Sequence, residues 1–113
     1  MPSFIWSQSL TANQSGANPL TGWQYEYVPW TAIVRVYQRA TTVNVRSTLF
    51  SGSQTIAQRS PVQAGGTAGS TPSPLNTPAI EFVATAGDRL ILQNDEVGGA
   101  AATVDGIIHL DPV

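Results

Sequence analysis

The stretch from Thr31 to Phe50, TAIVRVYQRATTVNVRSTLF, repeats every second residue, and that period limits what the chain can become. Val34 and Val36 alternate with Ile33, Arg35 and Tyr37, and Val43 and Val45 alternate with Asn44 and Arg46, as in strands that bury one face. If the valines of both runs face one core, a one-residue slip would turn them to solvent, so the register is strongly specified. The two runs read as neighbouring strands, with Arg35 and Arg46 together on the opposite face. Neither Asn-Gly nor Asp-Gly sits between them. A two-residue hairpin is therefore disfavoured, and a longer loop or a change of sheet stays open.

Further strand signals follow along the chain. Ser3 to Leu10 is apolar and aromatic, with Phe4 or Trp6 set to enter a core, and Thr11 to Gly22 is a loop rich in Asn, Ser, Gly and Pro. Trp23, Tyr25 and Tyr27 alternate with Gln24 and Glu26, which predicts a short strand with one aromatic face before Pro29 interrupts it. Gln54 to Val62 is a weaker strand that Pro61 ends or places at a sheet edge. Ala79 to Ala84 and Arg89 to Gln93, separated by Ala86-Gly87-Asp88, read as a second antiparallel pair, and Ala100 to Val104 and Gly106 to Leu110 as two final strands. No long segment has a helical period. The expectation is an all-β chain, residues 1–113 forming a single antiparallel β-sandwich of jelly-roll type. Its core would draw on Val34, Val36, Val43, Val45, Ile80, Phe82, Leu90, Leu92 and Ile107 or Ile108.

One segment breaks the pattern. Gln63 to Pro78, QAGGTAGSTPSPLNTP, is dominated by Gly, Pro, Ser and Thr and has too few apolar residues to pack an element of its own. It is too long for an ordinary connection, and we expect an extended loop or arm that lies on a neighbouring subunit or on the surface of a larger assembly.

Composition narrows the functional classes. Charged residues make up 11% of the chain, against about 25% in typical soluble domains, and there is no lysine. Such a surface is poorly protected against association and suited to cover by partner subunits. Arg35, Arg39, Arg46 and Arg59 span a region without acids, whereas Glu81, Asp88, Asp95, Glu96, Asp105 and Asp111 fill the final third. Either the two sets pair internally, or a basic face on one copy meets an acidic face on the next in a head-to-tail ring. A formal net charge of −2 argues against a general nucleic-acid partner. No run is long enough to cross a membrane as a helix and the start has no basic, apolar leader pattern, so the expectation is a soluble, unexported chain.

The search for chemistry returns mostly structural readings. His109 is the one histidine and there is no cysteine, so no zinc set or Cys-His pair can form within the chain. A Ser-His-Asp set is arithmetically open, yet no G-x-S-x-G elbow occurs, and a histidine within a strand is more often satisfied by sheet neighbours. Asp95 and Glu96, with Asp88 or Asp105, are a weak calcium pattern. Glu26 and Glu81 could be imagined as a glycosidase pair, but pairing with arginine fits them better. We expect no catalytic residues and no cofactor. The surface residues singled out as an interface are Arg35, Arg39 and Arg46 with Trp23, Tyr25 and Tyr27; the aromatic three would serve a protein contact or, alternatively, stack on a sugar.

A small all-β chain without Cys or Lys, carrying a Gly/Ser/Pro arm, the run A-G-D-R-L-I-L-Q-N (Ala86 to Asn94) and the closing G-I-I-H-L-D-P-V (Gly106 to Val113), resembles the β-sandwich decoration, or cement, proteins of tailed-phage heads. The likeness covers residues 31–113 and leaves the first third, with Trp6 and Trp23 to Tyr27, unmatched. It implies a non-enzymatic protein made in the host cytoplasm and placed on the capsid exterior, commonly as a homotrimer bridging major capsid proteins. The alternative is a carbohydrate- or receptor-binding module of a virion fibre.

Overall fold

The structure is a computed structural model that describes residues 3–69, 71, 72, 77 and 79–113. Among the described residues seven strands form: β1 (Ser3–Leu10), β2 (Ala32–Ala40), β3 (Val45–Ser51), β4 (Gln54–Pro61), β5 (Ile80–Ala84), β6 (Leu90–Glu96) and β7 (Ala102–Pro112). They make two antiparallel sheets, the first in the order β1-β7-β2-β5 and the second in the order β4-β3-β6. The irregular segment between β1 and β2 runs along the free side of β6. It bridges Ala17 to Asn94 and Tyr27 to Arg89, and Val28 and Leu90 donate their N–H groups to Asp88 and Glu26 at 2.9 and 2.8 Å. Counted as a broken eighth strand, it completes the second sheet, and every connection except β3–β4 then crosses between sheets. That is jelly-roll topology.

The alternation expected around Thr31 to Phe50 is present, but the two runs belong to different sheets. Val34 and Val36 face inward from β2 and Val45 faces inward from β3, each no more than 1% exposed. Residues 41–44 carry the chain across the sandwich, so Val43 lies outside the strand and is 70% exposed instead of entering the core. The same crossing separates the arginines: Arg35 and Arg39 stand on the outer face of the first sheet and Arg46 on the outer face of the second. β5 and β6 are likewise not a hairpin, because the turn at Ala86 to Asp88 also changes sheets. The tail strands expected on either side of Asp105 are one continuous β7, in which Ile108 is buried and Ile107 faces out.

Among the described residues the only hairpin is β3–β4, closed by Gly52 and Ser53 between the paired Ser51 and Gln54. Gly52 has φ of +60°, which tight hairpin turns favour, and a β-carbon there would come within 2.7 Å of the Asp88 carboxylate. That carboxylate accepts from Ser51 Oγ and the Thr85 N–H, tying the hairpin to the β5–β6 turn.

Among the described residues the interior has two apolar clusters. The larger contains Trp6, Leu20, Val28, Val34, Val36, Leu49, Leu90, Leu92, Ile108 and Leu110; the smaller contains Leu10, Ala40, Val45, Val62, Ala102 and Val104. Each fully buried Leu or Ile contributes about 1.5–3 kcal/mol relative to exposure. Between the clusters lies a polar layer. Asn94 of β6, 0% exposed, donates its amide to Gln8 of β1 and Gln38 of β2, both at 3.0 Å, and joins the two sheets.

The expected arm is described in part, since residues 70, 73–76 and 78 lie outside the described residues. Its first portion folds onto its own chain. The Ala40 N–H donates to Gln63 O at 2.8 Å, the Gly66 N–H donates to Ala40 O at 3.0 Å, and Arg39 Nε donates to Ala64 O at 3.3 Å. The Gly69 N–H then reaches the buried Asp105 carboxylate at 3.2 Å. A segment poor in side chains is thus held through its backbone.

Candidate functional site

Trp23, Tyr25 and Tyr27 do not share a strand face. The chain turns here, with the Trp23 N–H donating to Leu20 O at 3.1 Å and the Glu26 N–H to Trp23 O at 2.9 Å. Trp23 stacks on Phe4 at 5.5 Å and meets Tyr25 edge-on at 5.5 Å, and Tyr25 packs against Trp30 at 5.6 Å. These half-buried rings form a continuous row along one side of the larger core cluster. Tyr27 points elsewhere, 60% exposed, with the Arg89 guanidinium 5.8 Å from its ring centre. Glu26 is the residue behind this shape. Its carboxylate accepts from Arg89 at 2.7 Å and from the Gly22 N–H at 3.2 Å, so a glutamate at a nominally outward position is drawn in.

The charges that looked segregated along the chain meet in the fold. Arg35 contacts Glu81 at 2.7 Å and Asp111 at 3.9 Å, across β5 and β7. Arg59 contacts Asp95 at 3.5 Å and Arg89 contacts Glu26. Arg46 donates to the carbonyls of Val43 and Val45, and with Arg59 and Val97 it lines a shallow depression on the second sheet. Exposed pairs of this kind add little to stability, because solvent screens them. Their consequence is a neutralised surface, and the three arginines singled out from the sequence do not form one basic face.

The carboxylates considered for calcium all accept from protein groups. Asp95 takes the Gly16 N–H and Arg59, Asp88 takes Ser51 and Thr85, and Asp105 takes Gly69. Glu96, 2% exposed, accepts from the N–H groups of Asn13, Gly98 and Gly99 at 2.8–3.0 Å, pinning the loop after β1 to the turn after β6. Among the described residues no group of three metal-type ligands forms. Glu26 and Glu81, the imagined glycosidase pair, are each committed to an arginine.

His109 lies on the outer face of the first sheet, with Ser3 Oγ 2.8 Å from its Nδ1 and Tyr37 edge-on at 6.0 Å. Among the described residues no carboxylate bonds its other nitrogen. Sequence reasoning did not single out one further feature, a cavity of about 240 Å³ between the sheets, lined by Val36, Gln38, Ser47, Ser60, Val62 and Ile80. Its signal was available in the polar Gln38 and Ser47 at inward positions of otherwise apolar strands.

Two glutamates link the surface to acid stability. The Arg89 hydrogen bond holds the Glu26 carboxyl below the usual glutamate range, against the opposing effect of burial, and the Asn13 N–H with its neighbours does the same for Glu96. A depressed folded pKa contributes stability that is complete above the unfolded value of about 4.3 and is lost as pH falls through the folded value. Melting temperature should therefore drop as the pH falls below about 4.3. Glu96→Gln should start lower at neutral pH yet fall less on acidification; an unchanged acid limb in that variant would remove Glu96 from the explanation.

None of the protein-family models, curated proteins or solved structures compared with the chain matches it. Its class is therefore defined by its own geometry, an all-β sandwich with a low-charge surface.

Proposed function

We propose that this protein is a non-enzymatic structural protein of a virion, which decorates a bacteriophage capsid from the exterior and stabilises it by bridging major capsid proteins. The observation that carries the reading is the outer face of the first sheet. Ile5 and Ile107 are direct cross-strand neighbours in one row, which the already buried Tyr37 continues, Ile33 and Val83 pair in another, and the row between them holds Arg35 neutralised by Glu81. Ile5 and Val83 are 58% and 61% exposed. A sheet face with apolar rows and internally paired charges is better suited to burial against protein than to water.

Jelly rolls serve in viral capsids and in lectins, so strand order alone supports both this reading and a carbohydrate- or receptor-binding module of a virion fibre. The aromatic row supports the second less well, because Phe4, Trp23, Tyr25 and Trp30 pack on one another and leave little open ring face for a sugar. On the first reading the chain is made in the host cytoplasm and ends on the capsid exterior. The homotrimer that the resemblance implies would need a contact other than an Arg35–Arg39–Arg46 face, which the fold divides between its two outer surfaces.

The test is binding of the purified protein to phage heads lacking decoration. Saturable binding with a raised head-disruption temperature, weakened by Val83→Lys, is expected. Failure to bind any head, together with a glycan-array signal lost in Tyr25→Ala, would replace this reading with the fibre module.

A further inference from the structure

The four sheet edges formed by the described residues are not alike. β4 carries Pro61, two register irregularities and Arg59 at φ of +43°, so its edge is bent and interrupted. β5 has five residues and bears Glu81. The segment beside β6 is itself broken and forms β-bridges with it at isolated points, with no continuous ladder. These are the devices by which sheets avoid pairing with other chains.

β1 has none of them. SFIWSQSL contains no charge, proline or glycine, and it pairs with β7 in unbroken register from Ser3 opposite His109 to Leu10 opposite Ala102. Among the described residues nothing pairs with its other side. Ser3, Ile5, Ser7 and Ser9 are exposed, and the inward-facing Phe4 and Gln8 stay half-buried, as side chains at an uncovered edge do.

We infer that β1 is a self-association edge, at which a second copy of this chain adds its own β1 antiparallel and joins two first sheets into one of eight strands. The unpaired N–H and C=O groups of a regular edge are complementary to another extended strand. A second copy fits because an uncharged strand meets itself without like-charge repulsion, and because an antiparallel pair is twofold, so the same patch serves both partners. The register that sets Ile5 opposite its own counterpart covers the most exposed apolar side chain of β1. The contact joins copies in pairs, and within a threefold assembly it would serve as a link between trimers. It stands independently of the virion reading.

Sedimentation and thiol cross-linking test it. The parent should be dimeric at tens of micromolar. Ile5→Lys, which places two like charges across the twofold, should weaken the dimer at least about tenfold while leaving circular dichroism unchanged. Val83→Lys, at the opposite edge of the same sheet, should not affect it. The chain has no cysteine, so Ile5→Cys should give a disulfide-linked dimer on oxidation. A monomeric parent, a dimer indifferent to Ile5→Lys, or equal weakening by Val83→Lys would overturn the inference.

Discussion

Val36→Asp is expected to leave the chain unfolded. Val36 is 1% exposed at the centre of the first sheet, opposite Ile108 on one side and Ile80 on the other. Among the described residues no arginine is buried to compensate a carboxylate there, and the effective penalty for an unpaired buried ion is several kcal/mol. The lost apolar burial adds about 1.5–3 kcal/mol. Against a total stability of about 5–15 kcal/mol for a domain, the sum removes most or all of it. Val43→Asp is the control, since Val43 is 70% exposed in the crossover and its substitution should change stability by no more than about 0.5 kcal/mol. Circular dichroism and thermal melts decide; a soluble, folded Val36→Asp would mean that β2 faces the other way.

These two valines also mark what the sequence could convey. Period-2 alternation reports which face of a strand is buried, and it does so for Val34, Val36, Val45, Leu90, Leu92 and Ile108. It does not report the sheet. In a sandwich, a strand that folds back as a hairpin and one that crosses to the opposite sheet both present every second residue to the same core, so β2 and β3 look alike under either arrangement. Val43 keeps the phase of Val45 but precedes the strand, and nothing local distinguishes it. The aromatic alternation from Trp23 to Tyr27 misled for a related reason: its geometry is set by Arg89, sixty-three positions from Glu26, and by Phe4, contacts that no window of sequence contains.

The polar layer was more legible than the reading made of it. Gln8 follows Phe4 and Trp6 in phase, Gln38 follows Val34 and Val36, and Asn94 follows Leu90 and Leu92, so three strands each carry an amide at an inward position. One buried amide signals little, but three in phase signal a shared layer. The candidate surface was the least legible part. Charge segregation along the chain suggested an interface, whereas cross-strand pairing neutralises Arg35 and Arg59, and the open edge at β1 emerges only once the other edges are known to be interrupted.

Gly106→Ala is expected to cost about 3–5 kcal/mol, the range for removing a large aromatic from a core. Strand propensity alone predicts the opposite, since replacing glycine by alanine within a strand ordinarily gains about 0.5–1 kcal/mol. Sterics decide the sign here. Gly106 lies in β7 between Trp6 on β1 and Gln38 on β2, and a β-carbon on Gly106 would fall within the Trp6 indole itself. Trp6 is 7% exposed and packs against Phe4 at 6.1 Å, so the ring must leave its place rather than slide aside. Native tryptophan fluorescence should shift to the red and cooperative melting should weaken. The two sites are in contact, so their effects should not add. Trp6→Leu alone destabilises by losing the ring, but Gly106→Ala made in that background should be neutral or stabilising, because the collision is gone and the strand preference reasserts itself. An equal cost of Gly106→Ala in both backgrounds would mean that the indole is not what the glycine accommodates.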